Sequence, residues 1–217
     1  YFGHEVVAFT FAFLHSLRKR AIETVDERLS WAIAIGTVPA VLAGGLGAGF
    51  IEDHLGEPWM IGILLIVFGA LLWNADGRPQ QRSLEDMRLR DGLYIGLAQV
   101  IALAPGTSRS GITITAARYL GLDRDSAARI SFLLLIPAVA GATVYSAYEA
   151  IKDGLPDDVA GPLIVGTIAS AISGYLAIAW LLRLVRTHSY RPFVIYRYAA
   201  GAFVLLLIAT GVREATF

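Results

Sequence analysis

Residues Ala104–Thr113 read "APGTSRSGIT". One arginine, Arg109, and four hydroxyl side chains, Thr107, Ser108, Ser110 and Thr113, stand here between long apolar runs. Pro105, Gly106 and Gly111 interrupt a regular helix, because proline lacks an amide donor and glycine takes backbone angles that other residues avoid. The surroundings decide how the stretch must be read. The 217-residue chain is 56% hydrophobic and 17% charged, with a mean hydropathy of +0.60. Segments 31–51, 58–75, 92–108, 130–148 and 159–182 contain no Asp, Glu, Lys or Arg, and 192–212 contains only Arg197. Most approach the ~20 residues that cross a hydrocarbon core. The pattern predicts an all-α polytopic membrane protein, with 1–217 as a single integral membrane domain.

Composition narrows the function classes. Net charge is zero, so no nucleic-acid partner is expected, and the absence of cysteine excludes disulfides and thiolate metal sites. The chain opens "YFGHEVVAF", without methionine and inside an element, and an N-terminal portion of the repeat is expected to precede it. Val6–Leu17 is too short to span and reads as an interfacial helix or the end of a longer one.

Charge asymmetry supplies a topology. Segments 15–30 and 76–91 carry four Lys/Arg each, and 118–129 and 183–191 carry three each. Segment 52–57 carries none, and 149–158 carries only Lys152 among four acids. The positive-inside rule places the first group in the cytoplasm and the second outside. The 76–91 and 118–129 segments then share a side, so the chain between them must return to where it began. Its second limb, Ser110–Ala117, is too short to cross. About 92–120 therefore reads as a re-entrant helical hairpin broken at Pro105-Gly106, with Ala104–Thr113 at its tip. Non-helical backbone at membrane depth survives only when buried in protein or lining a wet cavity.

An intramembrane charge costs about 2.5–3.5 kcal/mol on insertion scales, which makes Arg109 a functional candidate. Thr107, Ser108 and Ser110 add small donors, Gly106 and Gly111 allow close approach, and a helix starting near Ser110 aims its amides and positive dipole end at the same point. Guanidinium, hydroxyls and a helix N-terminus together suit an oxyanion, and phosphate fits the guanidinium fork best. The competing reading is close helix packing through small residues, with Arg109 snorkelling or paired to a distant acid.

"PGTSRSGIT" after "GLAQVIAL", followed by "RISFLLLIPAVAGAT" and "RPFVIYRY", resembles undecaprenyl-diphosphate phosphatase, the bacitracin-resistance family, from about Trp31 to Val212. The resemblance implies a multi-pass enzyme of the bacterial plasma membrane, built as an inverted-repeat bundle with re-entrant hairpins. It implies hydrolysis of undecaprenyl diphosphate to the monophosphate carrier of cell-wall synthesis, with a divalent cation, Mg2+ or Ca2+, and access from the outer face. By motif position, Ser108, Arg109 and Ser110 would be catalytic, and Gly106, Thr107, Gly111 and Thr113 would bind the diphosphate. Gln99 would face it from the descending helix. The family's Glu-rich motif and Ser-Ser-x-Gly-His hairpin do not occur in these residues, so the metal-binding carboxylates are expected upstream of Tyr1. The partners implied are a polyprenyl diphosphate lipid and the bilayer, with a homodimer left open.

Arg197, inside an apolar block, either neutralises phosphate or snorkels. Ser131 and Pro137 are accounted for by packing and a kink. His4, His15, His54 and His188 lie near loops or interfaces and are weak candidates. Asp123 and Asp125 read as caps of the helix after Gly121. A polyprenyl-phosphate transporter or flippase, which binds without hydrolysing, is the alternative, since broken helices in inverted repeats also describe secondary transporters.

Overall fold

A computed structural model describes residues 1–153 and 160–212, apart from the side chains of 48–54, 153 and 160. Residues 154–158 of the acidic connection and the side chain of His54 thus lie outside the described residues. The regular elements among those described are helical: α1 (Gly3–Lys19), α2 (Val25–His54), α3 (Pro58–Asp76), α4 (Leu89–Ile101), α5 (Arg109–Tyr119), α6 (Arg124–Asp153), α7 (Ala160–Thr187) and α8 (Arg191–Ala209). Five segments are long and apolar enough to cross a membrane: Val25–Gly47, Pro58–Asp76, Arg124–Lys152, Gly161–Thr187 and Arg191–Ala209. The protein is an all-α polytopic membrane protein. Helices α1, α4 and α5 are outside that set.

Glycine contacts fix how the helices run. A Cβ on Gly92 would stand 2.3 Å from the Ala32 carbonyl oxygen, one on Gly96 2.1 Å from that of Gly36, and one on Gly44 3.8 Å from Leu103. These pairs rise together, so α2 and α4 are parallel and touch backbone to backbone at Ala32–Gly92 and Gly36–Gly96. Helices α3 and α8 are antiparallel. Gly62 meets Gly201 and Leu205, Gly69 meets Tyr198, and Arg191 lies 5.5 Å over the Trp73 ring. Without water between apolar helices, such close approach supplies the dispersion contact that holds membrane bundles together.

The α2–α4 seam carries a prediction. Gly96→Ala should lower the thermal unfolding midpoint in detergent by roughly 5 °C or more, because the methyl meets backbone that cannot turn aside. Gly161→Ala, where nothing lies within 4 Å, should leave the midpoint unchanged or raise it. Equal midpoints for the two variants would sink the seam.

The basic segments gather at one end of the bundle. Arg28 donates to the Glu85 carbonyl at 2.6 Å, Arg124 pairs with Asp76 at 2.5 Å, and Arg186 pairs with Asp125 at 3.0 Å. Asp123 caps α6, accepting from the Ser126 amide at 2.7 Å, whereas Asp125 pairs with Arg129 and Arg186 instead. Glu5 reaches Arg129 at 3.4 Å and ties α1 to α6. Most of the apolar core lies toward the same end, around Leu29, Met87, Ile95, Ala117, Leu122, Ile130, Leu182 and Val194.

The hairpin is rooted in this end. Arg82 donates to the Leu120 carbonyl at the end of α5 and pairs with Asp91 at the start of α4, at 2.9 and 2.5 Å. Arg118, wholly buried, donates to the carbonyls of Leu122, Arg78 and Asp76. Charge counting treats Arg118 as a loop charge; the structure makes it a bolt between α5, the α5–α6 connection and the end of α3. Tyr119 adds a hydroxyl bond of 2.9 Å to Asn74. Helix α4 therefore rises from the basic end, and α5 returns to it.

Candidate functional site: the α4–α5 tip

At the other end of the hairpin, residues 102–108 form an irregular turn between α4 and α5. Gly106 has φ +91°, and a Cβ there would stand 2.7 Å from the Ile61 carbonyl oxygen. Both the backbone angle and the space demand glycine. Ile61 is the fourth residue of α3, about 5 Å along the axis from that helix's start and roughly 22 Å from Asp76. The tip thus lies near the end of the bundle opposite the arginine-rich base.

Ser108 follows with φ 69° and ψ 114°, a combination costing about 1–3 kcal/mol for a residue with a side chain. Its Oγ caps α5 by accepting from the Gly111 amide at 3.2 Å. That bond leaves the Ser108 hydroxyl proton free to donate elsewhere. Ser108, Arg109 and Ser110 are all exposed, and the Arg109 side chain has no ion pair or hydrogen bond among the described residues. The first turn of α5 is thus an open, unneutralised positive end.

Arg197 comes to the tip from α8. It is 6% exposed, and no carboxylate pairs with it among the described residues. Its Nη2 donates to the carbonyls of Gly106 at 3.0 Å and Thr107 at 2.9 Å, and more distantly to Leu64 at 3.4 Å, while Nε reaches Leu65 at 3.3 Å. A Cβ on Gly111 would stand 3.3 Å from Nη1. Arg197 therefore clamps the turn against α3 and brings a second guanidinium to the N-terminus of α5. It does not snorkel.

The remaining residues divide by their partners. Thr113 is buried and its hydroxyl is engaged by the Arg109 carbonyl at 2.9 Å and by Ser131 at 2.7 Å, so it braces α5 against α6. Thr107 and Gln99 are also buried, but Thr107 Oγ1 and Gln99 Oε1 have no hydrogen-bond partner. Unpaired polar atoms of this kind are costly to bury. His4, His15 and His188 are remote in the chain and do not join the tip. Tip residues 104–113 contain no acid or histidine, and no group of three or more His, Cys, Asp or Glu that could hold a metal exists among the described residues. The tip fits an anion; the described residues do not fit a divalent cation.

The family model for "Bacitracin resistance protein BacA" matches residues 1–203. The chain belongs to the bacitracin resistance protein family. It is 48% identical over 192 residues to an undecaprenyl-diphosphatase of Nocardioides sp., covering 88% of this chain and 70% of that protein. An undecaprenyl-diphosphatase of Geobacter sulfurreducens is 50% identical over 181 residues, covering 82% and 67% respectively. One from Bifidobacterium adolescentis is 38% identical over 231 residues, covering all of this chain and 79% of its own. Family membership places the protein in the bacterial cell membrane as a multi-pass protein, in keeping with its five membrane-length segments.

Proposed function

We propose that the protein is an integral membrane phosphatase that hydrolyses undecaprenyl diphosphate to undecaprenyl phosphate and inorganic phosphate. This recycles the lipid carrier of cell-wall synthesis and confers bacitracin resistance. The single observation that carries the reading is the open N-terminus of α5, where exposed Arg109 and the Ser110 hydroxyl stand beside the buried Arg197 clamp. It is supported by relatives named for this hydrolysis, which favour it over a transporter.

The residues present can bind and orient. Arg109 holds two phosphate oxygens through its planar fork, and free amides at the start of α5 meet a third. Charge that develops on the transferring group is stabilised by both guanidiniums, in a turn whose geometry is fixed beforehand. Ser108 and Ser110 donate to phosphate oxygens. The tip holds no side chain that would take a proton from either hydroxyl. A divalent cation, Mg2+ or Ca2+, is part of the proposal, but the described residues offer it no ligand set, so no step is derived through it. A homodimer is also proposed, with α7, exposed along residues 161–173, offering an apolar face to a second copy.

The hairpin is proposed to be re-entrant, rooted in the cytoplasmic leaflet, with its tip opening toward the outer face. A cysteine at Gly56, beside the start of α3, should then react with an impermeant thiol reagent in sealed cells, and one at exposed Glu85 should not. Labelling at Glu85 instead would reverse the orientation.

The function is tested by phosphate release from undecaprenyl diphosphate by the purified protein in detergent, with and without a chelator. Release of inorganic phosphate that the chelator abolishes and Mg2+ or Ca2+ restores is the expected result. Lipid movement across liposomes without phosphate release would establish a transporter instead.

A further inference from the structure

At the basic end of the bundle, far from the tip, a cavity of about 310 Å³ opens between α3, α6 and α8. Trp73, Asp76, Arg124, Ser189 and Arg191 line it. We propose that this cavity binds the phosphate group of an anionic phospholipid headgroup.

The charges around it do not balance. Asp76 is the only acid in the lining, and it is already engaged by Arg124 Nε at 2.5 Å and by the Tyr190 amide at 3.2 Å. Buried Arg118 stands directly behind, donating to the Asp76 carbonyl at 3.2 Å. Nearby Asp123 is committed to capping α6 through Ser126. Arg191 is left over. Its contact is the face of Trp73, 5.5 Å away, and no acid pairs with it among the described residues. The Ser189 hydroxyl, two residues before it, has no acceptor there either. A free guanidinium, a free hydroxyl and the partly used fork of Arg124 are what a phosphate diester needs.

Position selects the source of that phosphate. Trp73 is in the last turn of α3 and Arg191 is the first residue of α8, so the cavity lies where two membrane-length helices end. Trp73 is 48% exposed, as an aromatic at headgroup depth would be. Basic pockets between helices at this leaflet favour anionic headgroups. The tip at Gly106 packs on Ile61, roughly 22 Å along α3 from Asp76, so this is not the diphosphate site.

The test is native mass spectrometry of the intact purified protein with added phosphatidylglycerol or phosphatidylcholine, in the presence and absence of excess inorganic phosphate. One phosphatidylglycerol should be retained preferentially, and Arg191→Gln should weaken that retention by about tenfold. Ser189→Ala, which removes a hydroxyl and little packing, should shift it in the same direction. Three results would overturn the proposal: equal retention by wild type and both variants, equal retention of the two lipids, or displacement of the lipid by inorganic phosphate. The last would assign the cavity to free phosphate. Hydrolysis at the tip is a separate readout, so failure here leaves the phosphatase reading standing.

Discussion

Arg109→Lys is expected to reduce kcat/KM for phosphate release from undecaprenyl diphosphate by about tenfold or more. Lysine keeps the charge, so electrostatic attraction of the diphosphate survives the change. What is lost is the planar fork that meets two oxygens at once and holds the phosphoryl group in line. Arg109 is exposed and unpartnered, so the substitution leaves no buried group orphaned and removes no internal contact. The thermal unfolding midpoint should therefore stay where it is while turnover falls. A variant that hydrolyses at the wild-type rate would make Arg109 a surface charge.

Arg197→Met should act differently, lowering both stability and turnover. The methionine fills similar volume but removes donors from four carbonyls, of which those of Gly106 and Thr107 hold the turn. Hydrogen bonds from a charged donor are worth about 1.5–3 kcal/mol each in exchange for water. The surrounding bilayer offers less compensation than water does. Released, the turn loses the geometry that keeps Ser108 at φ 69° and the first turn of α5 aimed outward. Misplacement of about 1 Å at a phosphate site costs on the order of a hundredfold in rate. Hydrogen exchange at residues 106–108 should rise in Arg197→Met and not in Arg109→Lys. If exchange is unchanged and only KM rises, Arg197 binds substrate without clamping the turn.

How far the sequence could be read depended on whether an interaction leaves a local mark. Arg109, Ser108 and the break at Pro105-Gly106 were legible because a charge and helix breakers inside an apolar run are costly wherever they sit. Charge counting also read correctly that segments around Arg28, Arg82, Arg124 and Arg186 share one end, since they meet there. It could not tell a solvated arginine from Arg118, two of whose acceptors are backbone carbonyls of residues 76 and 78, far back in the chain. Arg197 was ambiguous for the same reason: any residue can supply a carbonyl, so the clamp has no sequence signature. The α2–α4 seam was equally hidden. Gly36, Gly92 and Gly96 are three glycines among 22, and only the pairing of two distant helices shows that their missing side chains matter. Thr113 is placed by the motif beside the phosphate, and the structure adds that its hydroxyl bonds the Arg109 carbonyl and Ser131, a brace that leaves no local mark in the sequence.

The hairpin is rooted where the arginines are, and Gly106 at its tip packs on the first turn of α3, at the opposite end of that helix.

Whether Arg109 grips the diphosphate is decided by chemical rescue. Arg109→Ala should lose about a hundredfold in phosphate release, as loss of one transition-state donor does elsewhere. Because the tip is exposed, added guanidinium can enter the vacated space, whereas the same concentration of methylammonium supplies charge without the fork. Partial recovery with guanidinium and little with methylammonium is the predicted result. Phosphate release by Arg109→Ala at the wild-type rate, with neither cation added, would contradict it.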